Sequence, residues 1–194
     1  GYTFSPKFLE DEKQSSGPTL ILEKASGGSI LTKLKSPDPK WTPTKRMISL
    51  IGTAFGMKYL HSMHIIHRDL KSGNVLLDDN LHPKITDFGL SKVQFDNQQS
   101  LINTGTLPYM APELFESTNY TNSVDVNAFS IIAYEIITLK VPFPKSKTQF
   151  NHMKALSKGI RPIWPDDVNP KLKELISKCW DSTDTARPNF GEIF

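Results

Sequence analysis

The stretch of sequence that decides the fold reads His67-Arg68-Asp69-Leu70-Lys71-Ser72-Gly73-Asn74, and it is followed by Asp87-Phe88-Gly89. The first run fills the pattern H-R-D-L-x-x-x-N, and the second is the tripeptide D-F-G. An Asp-rich turn between a helix and a hairpin would account for the first run alone. It would not account for the second run as well, so the pair is a specific signal.

The residue types in these two runs suit the transfer of a phosphoryl group. Such a transfer spreads negative charge over the moving group, so the protein needs cations, metal-held oxygens and an acceptor for a hydroxyl proton. Asp69 can accept the proton, and Asp87 can hold a metal ion. Asn74 is an uncharged oxygen ligand that can complete a Mg²⁺ site beside Asp87 without adding repulsion. Lys71 is a mobile point charge suited to a phosphate.

The two runs resemble the catalytic core of a eukaryotic protein kinase, and other segments extend the resemblance. Gly105–Glu113, which reads G-T-L-P-Y-M-A-P-E, is similar to the end of a kinase activation segment. Asp125 opens the helix that follows. Cys179-Trp180 and the run Arg187-Pro188-Asn189-Phe190 resemble the closing subdomain of the tyrosine-kinase-like group. Matching pieces run from about Gly17 to the last residue.

The resemblance implies an α+β fold of the two-lobed protein kinase type, with a mainly helical C-lobe, a hinge and a remnant of the N-lobe sheet. Residues 1–28 would be the end of the N-lobe and the hinge, and residues 29–194 the C-lobe. Within the C-lobe, residues 67–74 would form the catalytic loop and residues 87–113 the activation segment.

The resemblance also implies roles for individual residues. Asp69 and Lys71 would be catalytic, and Asn74 and Asp87 would bind Mg²⁺. Thr106 would position the substrate through contacts of its hydroxyl with the catalytic Asp and Lys. The nucleotide contacts would be Leu22 at the gatekeeper position, the main-chain groups of Glu23 and Ala25, and Leu76. Three structural roles are also implied. His67 would pack under Phe88, and Asp125 would hold the backbone around Arg68. Glu113 would form a buried ion pair with Arg187.

A phosphorylation switch is a further expectation. A guanidinium buried beside the catalytic base is costly without a compensating anion, and a phosphate can supply that anion. Arg68 and Lys92 are the cations in question, and Ser100 and Thr104 are the hydroxyls in the activation segment that can reach them. The alternative is that these two hydroxyls are ordinary solvated loop residues.

The helical and strand patterns are consistent with this arrangement. We expect a mobile loop over residues 90–108 and a helix that starts at Thr42-Pro43 and buries one apolar face. We also expect a helix over residues 124–139 that is apolar all round, and shorter helices over 149–157 and 172–180. The predicted strands are a short buried one over 19–22, ended by a turn at 26–29, and a hairpin of 75–77 with 83–86. The apolar face of the first helix would consist of Met47, Leu50, Ile51, Ala54, Met57 and Leu60.

Three histidines and two unusual residues need separate interpretation. His61, His64 and His67 are spaced three apart, as in some zinc sites, but no acidic ligand lies at the expected offsets. The resemblance instead makes His61 a cap of its helix.

The sequence departs from the family pattern at two positions. Asn127 stands where an aromatic residue is usual and Ser130 where a glycine is usual, and neither position touches the chemistry in the family.

The composition limits the class of protein. Of the 194 residues, 38% are hydrophobic and 22% are charged, which is typical of a soluble globular chain. The net charge of +3 comes without a clustered basic face, so we expect no nucleic acid partner. Cys179 is the single cysteine, and no apolar run is long enough to span a bilayer. We therefore expect a cytoplasmic protein.

The leading hypothesis is a serine/threonine protein kinase that uses ATP and Mg²⁺ on a protein substrate. Lys71 and the Gly-Thr pair at Thr106 resemble serine/threonine kinases more than tyrosine kinases. The sequence contains no G-x-G-x-x-G loop and no V-A-I-K lysine. We therefore expect a fragment of a longer gene product that alone binds ATP weakly and transfers no phosphate. A catalytically silent scaffold with the same fold is the alternative, and a nucleic-acid-binding protein has only the net charge in its favour.

Overall fold

The computed structural model describes residues 2–3, 19–20, 22–93, 106–115, 120–143 and 148–194. The helices are α1 (Ile30–Lys35), α2 (Pro43–Ser62), α3 (Ser123–Thr138), α4 (Gln149–Ser157), α5 (Pro170–Cys179) and α6 (Phe190–Ile193). The strands are β1 (Tyr2–Thr3), β2 (Thr19–Leu20), β3 (Ile65–Ile66), β4 (Val75–Leu77), β5 (Pro83–Ile85) and β6 (Lys92–Val93). Single 3₁₀ turns cover Phe88–Leu90, Leu107–Tyr109, Pro112–Phe115 and Asp184–Ala186.

Helix α3 lies at the centre of the helical layer and packs against α1, α2 and α5. Its residues from Val124 to Ile136 are all buried, as the apolar sequence predicted. The ring of Phe129 packs edge-on against Phe190 of α6, with their centroids 5.3 Å apart. The helix ends at Leu139, whose N–H donates to the Glu135 carbonyl at 2.8 Å and whose left-handed φ of 56° turns the chain out of the helix.

Helix α2 starts where the sequence predicted, because the Thr42 hydroxyl accepts a hydrogen bond from the Lys45 N–H and Pro43 takes the first position. The predicted apolar face is only partly right. Leu50, Ala54 and Met57 are buried, whereas Met47 and Ile51 are 37% and 49% exposed. The two polar residues Ser49 and Thr53 share the buried face instead, since each hydroxyl donates to a carbonyl one turn earlier.

The hairpin of β4 and β5 forms in the predicted place. Its antiparallel register pairs Val75 with Ile85 and Leu77 with Pro83. Residues 27–29 add to its other edge, where the Gly27 N–H donates to the Leu77 carbonyl at 2.8 Å. A Cβ on Gly27 would lie 2.5 Å from the Asp78 carbonyl oxygen, so only glycine allows this approach.

The remaining strands are short. β1 pairs with β2, and β3 pairs with β6 in a register that sets Ile66 against Lys92. The predicted buried strand over 19–22 is too long. β2 ends at Leu20, and Leu22 lies outside it with 68% of its surface exposed, because no layer packs over this residue in the described part of the chain.

The predicted loop over 90–108 has defined structure at its described ends, namely β6 and the start of the Leu107–Tyr109 turn. Its middle lies outside the described residues. The two later helices match the predictions, although α5 begins earlier, at Pro170, where Asn169 caps it. None of the helices in the described ranges is long and apolar enough to cross a membrane.

Candidate active site

The loop of residues 67–74, which the sequence predicted as the catalytic loop, is held by one buried carboxylate. Asp125, in the first turn of α3, accepts hydrogen bonds from the backbone N–H of His67 at 2.8 Å and of Arg68 at 2.9 Å. The same carboxylate lies 3.0 Å from Nε2 of His61 at the end of α2. Arg68 has a φ of 70°, a strained backbone conformation that these bonds hold in place. The buried Asp125 is therefore hydrogen-bonded, as a charge at this depth requires.

Asp69 lies at the centre of a small polar network. Its Oδ2 accepts from Nζ of Lys71 at 2.5 Å and from Nδ2 of Asn74 at 3.1 Å. Its Oδ1 accepts from the Thr106 hydroxyl at 3.0 Å, and Lys71 also donates to that hydroxyl at 3.1 Å. The structure thus brings together the four residues that the sequence singled out, namely Asp69, Lys71, Asn74 and Thr106.

Asn74 and Asp87 come together at the open end of the β4–β5 hairpin. The Thr86 N–H donates to the Asn74 carbonyl at 2.9 Å. Asp87 directly follows Thr86 in the chain, so it lies close to Asn74. The Asp87 side chain is exposed, and its backbone is left-handed with a φ of 65°. Within the described ranges no three His, Cys, Asp or Glu residues cluster as a metal site.

His67 and Phe88 pack together behind this end of the hairpin. Their rings are 5.3 Å apart, and Nε2 of His67 lies 2.9 Å from the Thr86 carbonyl. Since His61 and His67 are engaged with Asp125 and Thr86, their spacing is explained without zinc. His61 lies in the last turn of α2, while Met63 is the residue that caps that helix.

The predicted nucleotide contacts lie along one edge of the structure. Leu76 is a half-buried residue of β4, and Ala25 precedes the glycine turn that pairs with that strand. Leu22 and Glu23 are exposed, and a Glu23 carboxylate oxygen lies 3.2 Å from Nζ of Lys84.

The predicted regulatory residues are only partly described. The guanidinium of Arg68 stacks over the ring of Tyr120 at 5.6 Å. Lys92 lies opposite Ile66 in the β3–β6 pair, next to the start of the catalytic loop. Ser100 and Thr104 lie outside the described residues.

Glu113 and Arg187 form the ion pair that the sequence suggested. The two guanidinium nitrogens Nη1 and Nη2 donate to the two carboxylate oxygens at 2.6 and 2.8 Å. Nη1 also donates to the Ser123 carbonyl, and Nε donates to the Asp181 carbonyl at 2.9 Å. The buried guanidinium is therefore bonded on all of its nitrogens, and it joins the 112–115 turn to the segment before α6.

One buried polar cluster went unrecognised in the sequence. Ser72 of the catalytic loop donates to Oε2 of Glu135, and the Tyr109 hydroxyl lies 3.1 and 2.9 Å from the two oxygens of that carboxylate. Burial raises the pKa of Glu135 above its ordinary value, although its two hydrogen-bond donors oppose this shift. Burial and the neighbouring carboxylate likewise raise the pKa of Tyr109. The sequence carried a signal of this cluster in Glu135, a glutamate that interrupts an otherwise apolar helix.

Comparison with known proteins identifies the family. A family model described as protein tyrosine and serine/threonine kinase matches residues 8–194. The chain belongs to this kinase family.

Several curated kinases are similar to the chain. The RGS domain-containing serine/threonine-protein kinase A of Dictyostelium discoideum is 39% identical over 173 residues, which are 89% of this chain and 15% of that protein. Serine/threonine-protein kinase STY17 of Arabidopsis thaliana is 40% identical over 138 residues, or 71% of this chain and 24% of that protein. Serine/threonine/tyrosine-protein kinase HT1 of Arabidopsis thaliana is 35% identical over 175 residues, or 90% of this chain and 45% of that protein. The chain therefore spans less than half the length of these relatives.

Membership of the kinase family confirms the predicted α+β fold, with a mainly helical C-lobe and a remnant of the N-lobe sheet. The similarity to plant STY kinases and to Dictyostelium kinases agrees with the tyrosine-kinase-like group. Kinases of this family generally use ATP and Mg²⁺ and act on protein substrates.

Proposed function

We propose that the chain is the catalytic part of a cytoplasmic signalling kinase that transfers the γ-phosphoryl group of ATP to serine and threonine hydroxyls of proteins. The observation that carries this proposal is the network in which Lys71, Asn74 and Thr106 all bond to the carboxylate of Asp69. The names of the similar curated kinases support the choice of acceptor. The single cysteine suits a reducing compartment.

Asp69 would receive the proton of the acceptor hydroxyl. Its Oδ1 already accepts a bond from a threonine hydroxyl, that of Thr106, so this oxygen can orient another hydroxyl in the same way. As the substrate oxygen forms its bond to the γ-phosphorus, its proton passes to Asp69. The bond from the γ-phosphorus to the bridging oxygen breaks, and the electron pair leaves with ADP.

Lys71 would neutralise the charge that develops on the moving phosphoryl group. Its ammonium donates to both Asp69 and Thr106, which would hold it beside the phosphoryl group as that group passes from the bridging oxygen to the acceptor oxygen. Because a lysine ammonium is a compact point charge, it can follow the phosphoryl group without a fixed geometry. Thr106 would set the distance of the substrate segment from the base.

The residues at the end of the hairpin fit a magnesium ion. Nδ2 of Asn74 donates to Asp69, which leaves the amide oxygen as its ligand atom, and the carboxylate of Asp87 is exposed beside it. Mg²⁺ prefers one or two protein carboxylates together with phosphate oxygens and water, so a larger acidic cluster is not needed. Asn74 and Asp87 would hold Mg²⁺ here, and the ion would supply positive charge against the phosphates.

The edge formed by Leu22, Glu23, Ala25 and Leu76 would contact the adenine. Leu76 would supply an apolar surface from β4, while the backbone of Glu23 and Ala25 would offer donors and acceptors to the base. An apolar floor with a few backbone polar groups is the usual composition of a cofactor pocket.

We also propose regulation by phosphorylation of Ser100 or Thr104, with Arg68 and Lys92 as the receiving cations. Replacement of both hydroxyl residues by alanine in the full-length protein should abolish the effect of phosphatase treatment on the transfer rate. If the alanine variant and the wild type respond equally to phosphatase, the loop is not a phosphorylation switch.

The function is tested with the full-length protein, γ-labelled ATP and peptide libraries that contain serine, threonine or tyrosine as the only acceptor. We expect Mg²⁺-dependent labelling of the serine and threonine libraries. Binding of an ATP analogue without any transfer would instead establish the catalytically silent scaffold. Labelling confined to the tyrosine library would overturn the assignment of the acceptor.

A further inference from the structure

A groove of about 600 Å³ lies between two loops of the helical layer. One wall is formed by residues 140–143, which follow α3, and the other by residues 160–163, which follow α4. Tyr134 of α3 and Ala155 of α4 complete the lining. Among the described residues, this lining shares none with the network around Asp69 or with the predicted nucleotide edge. A ligand bound in the groove would therefore leave the candidate active site open.

The groove is lined by apolar side chains, and its rim is exposed. Val141, Ile160 and Ile163 expose 69%, 51% and 87% of their surfaces, and Pro142 and Phe143 continue the apolar lining. Single exposed apolar residues are ordinary, whereas several around one concave site mark a place where another molecule binds. The volume also falls within the range of roughly 300–1,000 Å³ that is typical of binding pockets.

Hydrogen bonds hold the wall of residues 160–163 in its open position. The Tyr134 hydroxyl donates to the Ile163 carbonyl at 3.1 Å, which ties this wall to α3. The Ile160 N–H donates at 3.0 Å to a carbonyl in the last turn of α4. Nε of Arg161 donates to the carbonyl of Trp180, at the end of α5, at 2.8 Å. The wall is thus fixed to three helices, so binding does not require it to be ordered first.

The segment that forms both walls is cationic. Residues 136–165 contain no Asp or Glu and six basic residues, namely Lys140, Lys145, Lys147, Lys154, Lys158 and Arg161. Lys145 and Lys147 lie outside the described residues. Lys140 and Arg161 line the groove from its two walls, and Lys158 is exposed just before Ile160. The sequence showed no basic face because these cations are spread over two loops, and the fold brings two of them to one groove.

We propose that this groove docks an acidic peptide segment of a partner protein, with a bulky apolar side chain of that segment seated between the two walls. The positive charge attracts acidic partners and disfavours basic ones. The exposed rim is aliphatic, which favours an apolar side chain over a nucleobase, since bases stack on aromatic rings. The concave shape favours a peptide over a bilayer, which proteins enter with protruding apolar faces. The inference goes beyond the proposed function, because docking does not require phosphoryl transfer.

The test begins with a phage-displayed library of random peptides and the full-length protein. Phage that bind the Ile163→Glu variant are removed first, so the peptides then selected on the wild type require the groove. Because the Ile163 side chain is 87% exposed, this variant should melt at the same temperature as the wild type. We expect the selected peptides to combine Asp or Glu with a large apolar residue.

Fluorescence anisotropy with labelled copies of the selected peptides then measures affinity. Val141→Glu, which has no part in the selection, should weaken binding by at least about tenfold, because it removes an apolar contact and repels the peptide. Ile51→Glu is its matched control, since it makes the same change at an exposed residue of α2. Lys140→Glu should also weaken binding, whereas Lys173→Glu, at an exposed position of α5, should not. Added salt should weaken the binding of the peptides to the wild type.

The inference is overturned if no groove-dependent peptide is selected, if the selected peptides lack acidic residues, or if Val141→Glu binds them as tightly as Ile51→Glu does. Vesicles that contain phosphatidylserine and single-stranded DNA are the competing probes. Binding of either probe that Ile163→Glu abolishes, without selection of peptides, would assign the groove to a membrane or a nucleic acid instead. A protein that transfers no phosphate would overturn the proposed function and leave the peptide result unchanged, so the two failures are distinguishable.

Discussion

At the scale of single residues, Asp69 illustrates how much chemistry depends on one carboxylate with assigned partners. Each of its oxygens accepts a bond from a side chain to which we assign a role in phosphoryl transfer, Lys71 on Oδ2 and Thr106 on Oδ1. We expect Asp69→Asn in the full-length protein to lower kcat by about a hundredfold or more, because the amide cannot take up a proton. Steady-state kinetics with a peptide substrate measure this effect. A variant with near-normal kcat and unchanged ATP binding would refute the role of Asp69 as base.

The metal site gives a second prediction at this scale. Asp87→Ala should abolish the dependence of nucleotide binding on Mg²⁺, since its exposed carboxylate is the proposed charged ligand at the end of the hairpin. Lys71→Ala should leave that dependence intact and slow the transfer step. Titration of an ATP analogue into the full-length protein, with Mg²⁺ and after its removal by a chelator, separates the two variants. Equal Mg²⁺ dependence in Asp87→Ala and wild type would contradict the assignment.

At the scale of secondary-structure elements, α3 combines an apolar surface with a few polar groups that each have a partner. The C-terminal end of α3 predicts a substitution that should stabilise the folded protein. Leu139 is more than half exposed and has a left-handed φ of 56°, a conformation that costs an L-residue about 1 kcal/mol and costs glycine almost nothing. Leu139→Gly should therefore raise the free energy of unfolding by about 1 kcal/mol. Chemical denaturation shows the effect, and Leu139→Ala, which keeps the strain, is the control that should not be stabilised.

The buried carboxyl of the same helix predicts a pH dependence. Because burial raises the folded pKa of Glu135, the folded protein holds a proton that the unfolded chain has lost. In the pH range above the ordinary value of 4.5 and up to the raised value, its contribution to stability therefore falls as the pH rises. Glu135→Gln removes this contribution. The difference in unfolding free energy between wild type and Glu135→Gln should shift against the wild type as the pH rises above 4.5. A difference that does not vary with pH would contradict the raised pKa.

At the scale of the whole molecule, long-range polar contacts join segments that the chain separates widely. The pair of Arg187 and Glu113 is the clearest, since a fully buried guanidinium bonds both carboxylate oxygens and two carbonyls. Arg187→Met should lower the free energy of unfolding by about 3–5 kcal/mol, because it leaves a carboxylate without its partner.

The matched control for this prediction is Lys178→Met, which breaks the exposed pair of Lys178 with Glu174. Exposed pairs contribute little, so this variant should unfold almost like the wild type. If the two variants are equally stable in chemical denaturation, the buried pair does not hold the activation segment to the helical lobe.

The sequence by itself determined the family, the helices α2 and α3 and the β4–β5 hairpin. These features are local. A motif occupies a few adjacent positions, a cap such as Thr42 lies next to the helix it starts, and an apolar pattern repeats over one or two turns. For the same reason the candidate ligands Asn74 and Asp87 were predictable, because a short hairpin connects them.

The tertiary structure alone decided which polar residues act together. Glu135 was visible in the sequence as an interruption of an apolar helix, but its partners Ser72 and Tyr109 come from two other segments. Ser49 is buried and Met47 is not, because the Ser49 hydroxyl meets the Trp41 indole and the Leu81 carbonyl, which lie outside α2. A buried hydrogen bond or a packed face depends on the relative placement of distant segments, and local periodicity carries no information about that placement.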